Sequence, residues 1–128
     1  MSRHTIRLHN VVVGWSDLET ADPVEGRASG QFRPGVGYEL VQPVFGLYAQ
    51  AVPEPGAEVA DPQALDRYHR SRDALGLSLE DDQGRVIRTS AIHIEDYSGA
   101  KGSGRKSGLT VEVLISDQEY WKRRSRPG

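Results

Sequence analysis

Asp61-Pro62-Gln63-Ala64-Leu65-Asp66-Arg67-Tyr68-His69-Arg70-Ser71-Arg72-Asp73-Ala74-Leu75-Gly76 is a helix with both of its ends written into the sequence. Asp61 suits the cap, where a carboxylate accepts from first-turn N–H groups that lack a partner within the helix. Pro62 fits the first helical position, because its missing N–H would be unbonded there anyway. Gly76 supplies the left-handed residue that ends a helix. Ala64, Leu65, Tyr68, Arg72 and Leu75 recur at helical spacing and form an inner stripe, while Asp66, Arg67 and Arg70 face water.

A second helical pattern precedes it in Val36 to Ala51, with Leu40, Val41, Val44, Phe45 and Tyr48 on one stripe. Pro43 conflicts with a helix interior, since it removes a hydrogen bond and crowds the carbonyl four residues back. The helix is therefore expected to begin near Gln42, with Pro43 in its first turn, and Gly46 weakens it further. A strand reading competes, because Tyr38, Leu40, Val44 and Tyr48 fit alternation in part. Pro53 to Val59 reads as a turn-rich connection.

Everything after Gly76 reads as strand. Leu77-Ser78-Leu79-Glu80 alternates, Asp81-Asp82-Gln83-Gly84 turns, and Arg85 to Tyr97 returns, making a hairpin. Leu109, Val111, Val113 and Ile115 then alternate with Thr110, Glu112 and Ser116, the pattern of a strand buried on one face. Asp117 to Arg124 adds a helical turn before a basic tail, 122–128.

At the other end, Thr5 to Gly14 reads as one β-branched strand. Ile6 and Leu8 fall on one parity and Val11 and Val13 on the other, so either both faces become buried or a bulge near His9-Asn10 shifts the phase. Residues 15–26 read as loop, broken by Asp17, Asp22-Pro23 and Gly26. Arg27 to Arg33 forms a short strand with Ala28, Gly30 and Phe32 on one side, ended by Pro34-Gly35. No internal repeat is present. The order predicts an α+β fold: an antiparallel sheet of four to five strands with two helices packed on one face. A small sheet with exposed edges invites pairing, so a homodimer is expected.

The 128 residues suit one domain, 1–128, with a single core. No apolar run exceeds three residues, as in Val11-Val12-Val13, which excludes a spanning helix. Met1-Ser2-Arg3-His4 has no apolar stretch behind it, so no signal peptide is expected. The chain has no cysteine, which excludes disulfides, thiolate nucleophiles and cysteine-built zinc sites and suits the cytoplasm. Thirteen arginines against three lysines is the usage expected of a GC-rich bacterial genome.

Charge is unevenly placed. Residues 1–98 carry nine arginines against fifteen acids, a balance of −6, whereas residues 99–128 carry seven bases against three acids, a balance of +4. A basic end steers toward acidic partners. Nucleic acid is nevertheless not the expected partner, because the chain as a whole carries −2.

Gly99-Ala100-Lys101-Gly102-Ser103-Gly104-Arg105-Lys106-Ser107-Gly108 imitates a phosphate-binding loop and fails its test. A P-loop places lysine directly after its second glycine and a hydroxyl residue next, but Arg105 and Lys106 stand there. A P-loop also leads from a strand into a helix, whereas strands flank this one. The segment reads as a mobile hairpin loop, 99–108. Its glycine-rich backbone makes an anion nest conceivable, with Lys101, Arg105 and Lys106 as the ligand-binding side chains.

For acid–base chemistry the best cluster is His93, Glu95 and Tyr97 on one strand face, with Asp96 on the other. Histidine titrates near neutrality, and a neighbouring carboxylate holds its tautomer and raises its pKa. The plainer reading is an exposed strand end, and it carries more weight. His9, if its strand lies alongside, is placed to approach His93 across the sheet. His4, His9, His69 and His93 show no helix-face spacing for a metal, and no metal or cofactor is expected. No G-x-S-x-G elbow or Ser/His/Asp set occurs. Phe32, Tyr38, Phe45, Tyr48 and Tyr68 suit core packing or a pocket wall, and Trp15 and Trp121 a rim.

These features favour a non-enzymatic module that binds a small anionic ligand or a protein partner. The alternative is a small non-covalent acid–base enzyme centred on His93.

Overall fold

The computed structural model describes residues 3–54, 56–96 and 109–124, and the fold is α+β. Its strands divide between two antiparallel sheets. The five-stranded sheet runs β5 (Arg33–Pro34), β2 (Val11–Ser16), β1 (His4–Leu8), β6 (Ser78–Glu80) and β7 (Val86–Ile87). The four-stranded sheet runs β3 (Thr20–Asp22), β4 (Arg27–Gln31), β9 (Thr110–Ile115) and β8 (Thr89–Glu95). Helices α1 (Tyr38–Ala51) and α2 (Pro62–Leu75) pack on each other and against β8, and α1 also reaches β2. A third helix, α3 (Gln118–Arg124), follows β9.

Two sheets stand where a single one was expected, and two strand-like runs are broken locally. The first break lies at His9-Asn10, a two-residue turn with His9 at φ 55° that pairs Leu8 with Val11. The expected strand from Thr5 to Gly14 is thus a hairpin, and the turn explains the change of parity. A register shift at Ile6/Arg7 then leaves Val13 as the extra residue, and both Ile6 and Val13 are buried. Residues 15–26 are not all loop, since β2 continues to Ser16 and β3 pairs with β4. Between them Leu18 has φ 45°, a strained position for a bulky residue. It is held by complete burial of its side chain, by its N–H donating to Ser16 Oγ at 3.1 Å, and by its carbonyl accepting from Arg124 Nη2 at 2.5 Å.

The second break is Arg88. The return strand of the Leu79 hairpin is interrupted there, so β7 stays with β6 while β8 crosses to β9. Arg88 N–H donates to Asp117 Oδ2 at 3.3 Å and its carbonyl accepts from Ser116 N–H at 3.1 Å. The other Asp117 oxygen accepts from the N–H groups of Glu119 and Tyr120, which caps α3. One buried carboxylate therefore fixes both the sheet crossing and the last helix.

The helices follow their caps and packing. Asp61 Oδ1 accepts from the N–H groups of Gln63 and Ala64, each at 3.1 Å, and Gly76 ends α2 at φ 65°. Helix α1 begins at Tyr38, not Gln42, with Pro43 in its interior. Pro43 is exposed, so the carbonyl it leaves unpaired is on the side open to water. Burial of Tyr38, Val41 and Phe45 settles the helix phase and turns Leu40 outward. Lys122, Arg123 and Arg124 belong to the last turn of α3; the rest of the expected basic tail lies outside the described residues.

One hydrophobic cluster joins both sheets to the helices. It contains Ile6, Val13 and Leu79 from one sheet, Ile94, Val111 and Val113 from the other, and Phe45 and Tyr68 from the helices. Gly14 marks the closest approach, since a Cβ there would lie 2.3 Å from the Phe32 ring and 2.5 Å from the Arg33 carbonyl oxygen. Among the described residues, no helix is long and apolar enough to cross a membrane.

Candidate functional site

Strand alternation puts His93 and Glu95 on the face of the four-stranded sheet opposite Ile92 and Ile94, which enter the core. Register then supplies their neighbours. His93 lies across from Glu112, which lies across from Ser29; Glu95 lies across from Thr110, which lies across from Gln31. These two rows floor a cleft of about 530 Å³, walled by Tyr48 from α1 and Glu19 from the β2–β3 connection.

The three glutamates are held to different degrees. Glu19 Oε2 accepts from Gln31 N–H at 3.1 Å, and its carboxylate lies so close over Gly30 that a Cβ there would come within 2.7 Å of both oxygens. Thr110 Oγ1 donates to Glu95 Oε2 at 3.4 Å. Glu112 meets Arg27 only at 3.9 Å, with both side chains well exposed, a contact of little energetic weight. The described part of the cleft is therefore acidic.

His93 is the most constrained group in it. Its Nδ1 is hydrogen-bonded to the Tyr68 hydroxyl, and the Tyr48 ring meets it edge-on at 4.4 Å. Burial raises the Tyr68 pKa far above its ordinary value, so that hydroxyl keeps its proton. Nδ1 accepts from that hydroxyl when the ring hydrogen is on Nε2 and donates to it when the hydrogen is on Nδ1. Burial pushes the His93 pKa down to about 4, helped by the positive charges of Arg72 and His69. The rise anticipated from a neighbouring carboxylate is not among the causes of this shift, all of which lower it. Tyr48 is raised by burial and by the charges of Glu95 and Glu112.

The remaining sequence candidates separate. Asp96 is buried away from the cleft residues and accepts from the Tyr38 hydroxyl at 2.5 Å, tying the start of α1 to the end of β8. Tyr97, Lys101, Arg105 and Lys106 lie outside the described residues, as does the whole Gly99–Gly108 segment. His9 sits in the β1–β2 turn of the other sheet and does not face His93 across a ladder. Trp15 stacks under the Arg3 guanidinium at 5.1 Å, and Trp121 Nε1 donates to the Ile115 carbonyl at 3.0 Å. Among the described residues no group of three or more His, Asp or Glu is placed to hold a metal ion.

Sequence reading missed Glu19, Ser29, Gln31, Thr110 and Glu112 as members of this cleft. For Glu112 and Thr110 a signal existed, since alternation already turned them away from Val111 and Val113. For the others the pairing of distant segments was needed. In comparison with known proteins, the chain matches no protein-family model, no curated protein and no solved structure.

Proposed function

We propose that this chain is a non-enzymatic binding module whose recognition surface is the His93 cleft. The observation that carries this reading is the state of His93, neutral at physiological pH with Nδ1 already engaged by Tyr68. A general base works best with a pKa near the working pH, and a group held near 4 is far from that optimum. What the cleft offers instead is a fixed set of hydrogen-bonding groups, an aromatic wall at Tyr48, and the carboxylates of Glu19, Glu95 and Glu112. Such a surface takes a cationic group, an ammonium or guanidinium, with weak and salt-sensitive affinity. The anionic ligand expected from Lys101, Arg105 and Lys106 rests on residues outside those described.

The test is a ¹H–¹⁵N titration with N-acetyl-L-arginine amide and N-acetyl-L-lysine amide, cations that carry no carboxylate. Saturable shifts at His93, Tyr48 and Thr110, weakened by salt and by Glu112→Gln, support the reading. Absence of shifts with both probes overturns it. The acid–base alternative predicts a His93 pKa near neutrality, which an NMR titration reads directly.

A homodimer in the cytoplasm is proposed on separate grounds. Strands β3 and β7 end their sheets, all of β3 is exposed, and Val86 on β7 is 66% exposed. A chain without cysteine is indifferent to a reducing compartment. Sedimentation of the full chain checks the first point, and a single monomeric species rejects it.

A further inference from the structure

A second cavity, about 290 Å³, lies where β1, the β2–β3 connection, the β6–β7 turn and α3 meet, and it shares the Glu19 wall with the cleft. Its lining carries both signs of charge, with Asp81 between Arg85 and Arg123 and with Arg124 on the Leu18 carbonyl between Asp17 and Glu19. On one side Arg85 Nε and Arg123 Nη2 approach the same oxygen, Asp81 Oδ2, at 2.8 Å and 4.0 Å. The other Asp81 oxygen accepts from the N–H groups of Gln83 and Arg85, each at 2.9 Å. Burial alone would raise the Asp81 pKa, but these hydrogen bonds and the Arg85 guanidinium hold it below the ordinary range. Two guanidinium groups thus share one saturated carboxylate.

The opposite sign comes from Asp17 and Glu19, which flank the strained Leu18. Asp17 meets Arg33 through Oδ1 at 3.4 Å, and Glu19 meets Gln31 through Oε2. The floor is polar and held by its own contacts. Tyr120 Oη accepts from Arg124 Nη1 at 2.7 Å and is hydrogen-bonded at 3.1 Å to Nε2 of the buried His4. Asp82 also borders the cavity, so over the whole lining the acids and arginines nearly balance. A simple anion or cation would find partners for one charge only, whereas a molecule carrying both charges finds an opposite partner for each.

We propose that this cavity binds a small zwitterion of the α-amino-acid class. Arg85 and Arg123 take its carboxylate, and Asp17 and Glu19 take its ammonium group. The proposal does not rest on the function proposed for the His93 cleft, although the two sites share Glu19. Unlike that cleft, this cavity requires both charges on one ligand.

The experiment is a ¹H–¹⁵N titration of the full chain with the free L-α-amino acids, each beside its N-acetyl and carboxamide forms. At least one free amino acid is expected to shift Leu18, Tyr120 and Trp121 saturably. Both of its blocked forms should bind at least about tenfold more weakly, the scale of one lost charged hydrogen bond. Arg123→Gln, a partly exposed position, should lose affinity by a similar factor, and His93→Gln should leave it unchanged. If Arg123→Gln does not fold, Asp17→Asn applies the same test from the ammonium side. No shift with any free amino acid, equal binding of the blocked forms, or wild-type affinity in the folded variant overturns the proposal.

Discussion

The Tyr68 hydroxyl on α2 is hydrogen-bonded to Nδ1 of His93 on β8, joining a helix to the sheet across the edge of the cleft. Tyr68 is wholly buried, so water does not replace the hydroxyl if it is lost. Tyr68→Phe should destabilise the fold by about 1 kcal/mol, the net worth of one hydrogen bond to the half-buried His93. The same variant should change the tautomer balance of the ring. Urea unfolding measures the first effect and ¹⁵N shifts of His93 the second. Unchanged stability with an unchanged tautomer would show that the bond carries no weight.

The depressed pKa of His93 also sets a pH dependence. An unfolded histidine binds its proton near 6.5, while the folded one waits until about 4. The unfolded state therefore holds more protons in this interval, and stability falls as pH drops through it. Above about 6.5 both states are neutral and the contribution is complete; below about 4 the loss stops growing. Its upper size is about 3 kcal/mol, taking about 1.4 kcal/mol per pH unit. Arg72 and His69 deepen the effect, whereas Glu95, Glu112 and Tyr48 face the ring from the cleft. Thermal melts of wild type and His93→Gln from pH 7 to 4 should converge as the pH falls, and parallel curves would refute the assignment.

What the sequence disclosed follows the range of the forces involved. Helix α2 was legible from Asp61 to Gly76 because caps and stripes are local. Strand β9 was legible because alternation repeats every two residues. The same alternation put His93 and Glu95 on one face. It could not supply Tyr68, twenty-five residues away in sequence, or set Glu112 opposite His93, since register is a tertiary property. The sheet crossing at Arg88 was hidden inside a continuous strand-like run, because its cause is the distant Asp117 carboxylate. At His9-Asn10 no glycine or proline announced the turn, and only the parity change of the valines recorded it.

Two glycines separate steric need from tolerance. Gly14→Ala would drive a methyl group into the Phe32 ring and the Arg33 carbonyl, at 2.3 Å and 2.5 Å before relaxation. A loss of about 2 kcal/mol or more is expected, because one of the obstacles is backbone and both sit in packed structure. Gly46 lies inside α1, where an added Cβ would meet nothing within 4 Å. Gly46→Ala should therefore stabilise by up to about 1 kcal/mol, the difference in helix propensity. Paired chemical denaturation curves test both signs, and a destabilised Gly46→Ala would contradict the open surroundings of that residue.

Asp117 tests whether the sheet crossing and α3 depend on one group. Its two oxygens serve Arg88 N–H on one side and the N–H groups of Glu119 and Tyr120 on the other. Asp117→Ala removes a cap and strands the Arg88 N–H, a combined cost of about 2–3 kcal/mol. Asp117→Asn keeps an acceptor oxygen and should recover part of that loss. Burial would raise the Asp117 pKa, but the N–H donors and Arg88 lower it, so its contribution is present above the ordinary carboxylate range and lost in stronger acid. Hydrogen exchange gives the decisive reading. If Asp117→Ala frees only the α3 amides while those of β8 stay protected, the crossing at Arg88 is held by strand pairing alone and the shared role fails.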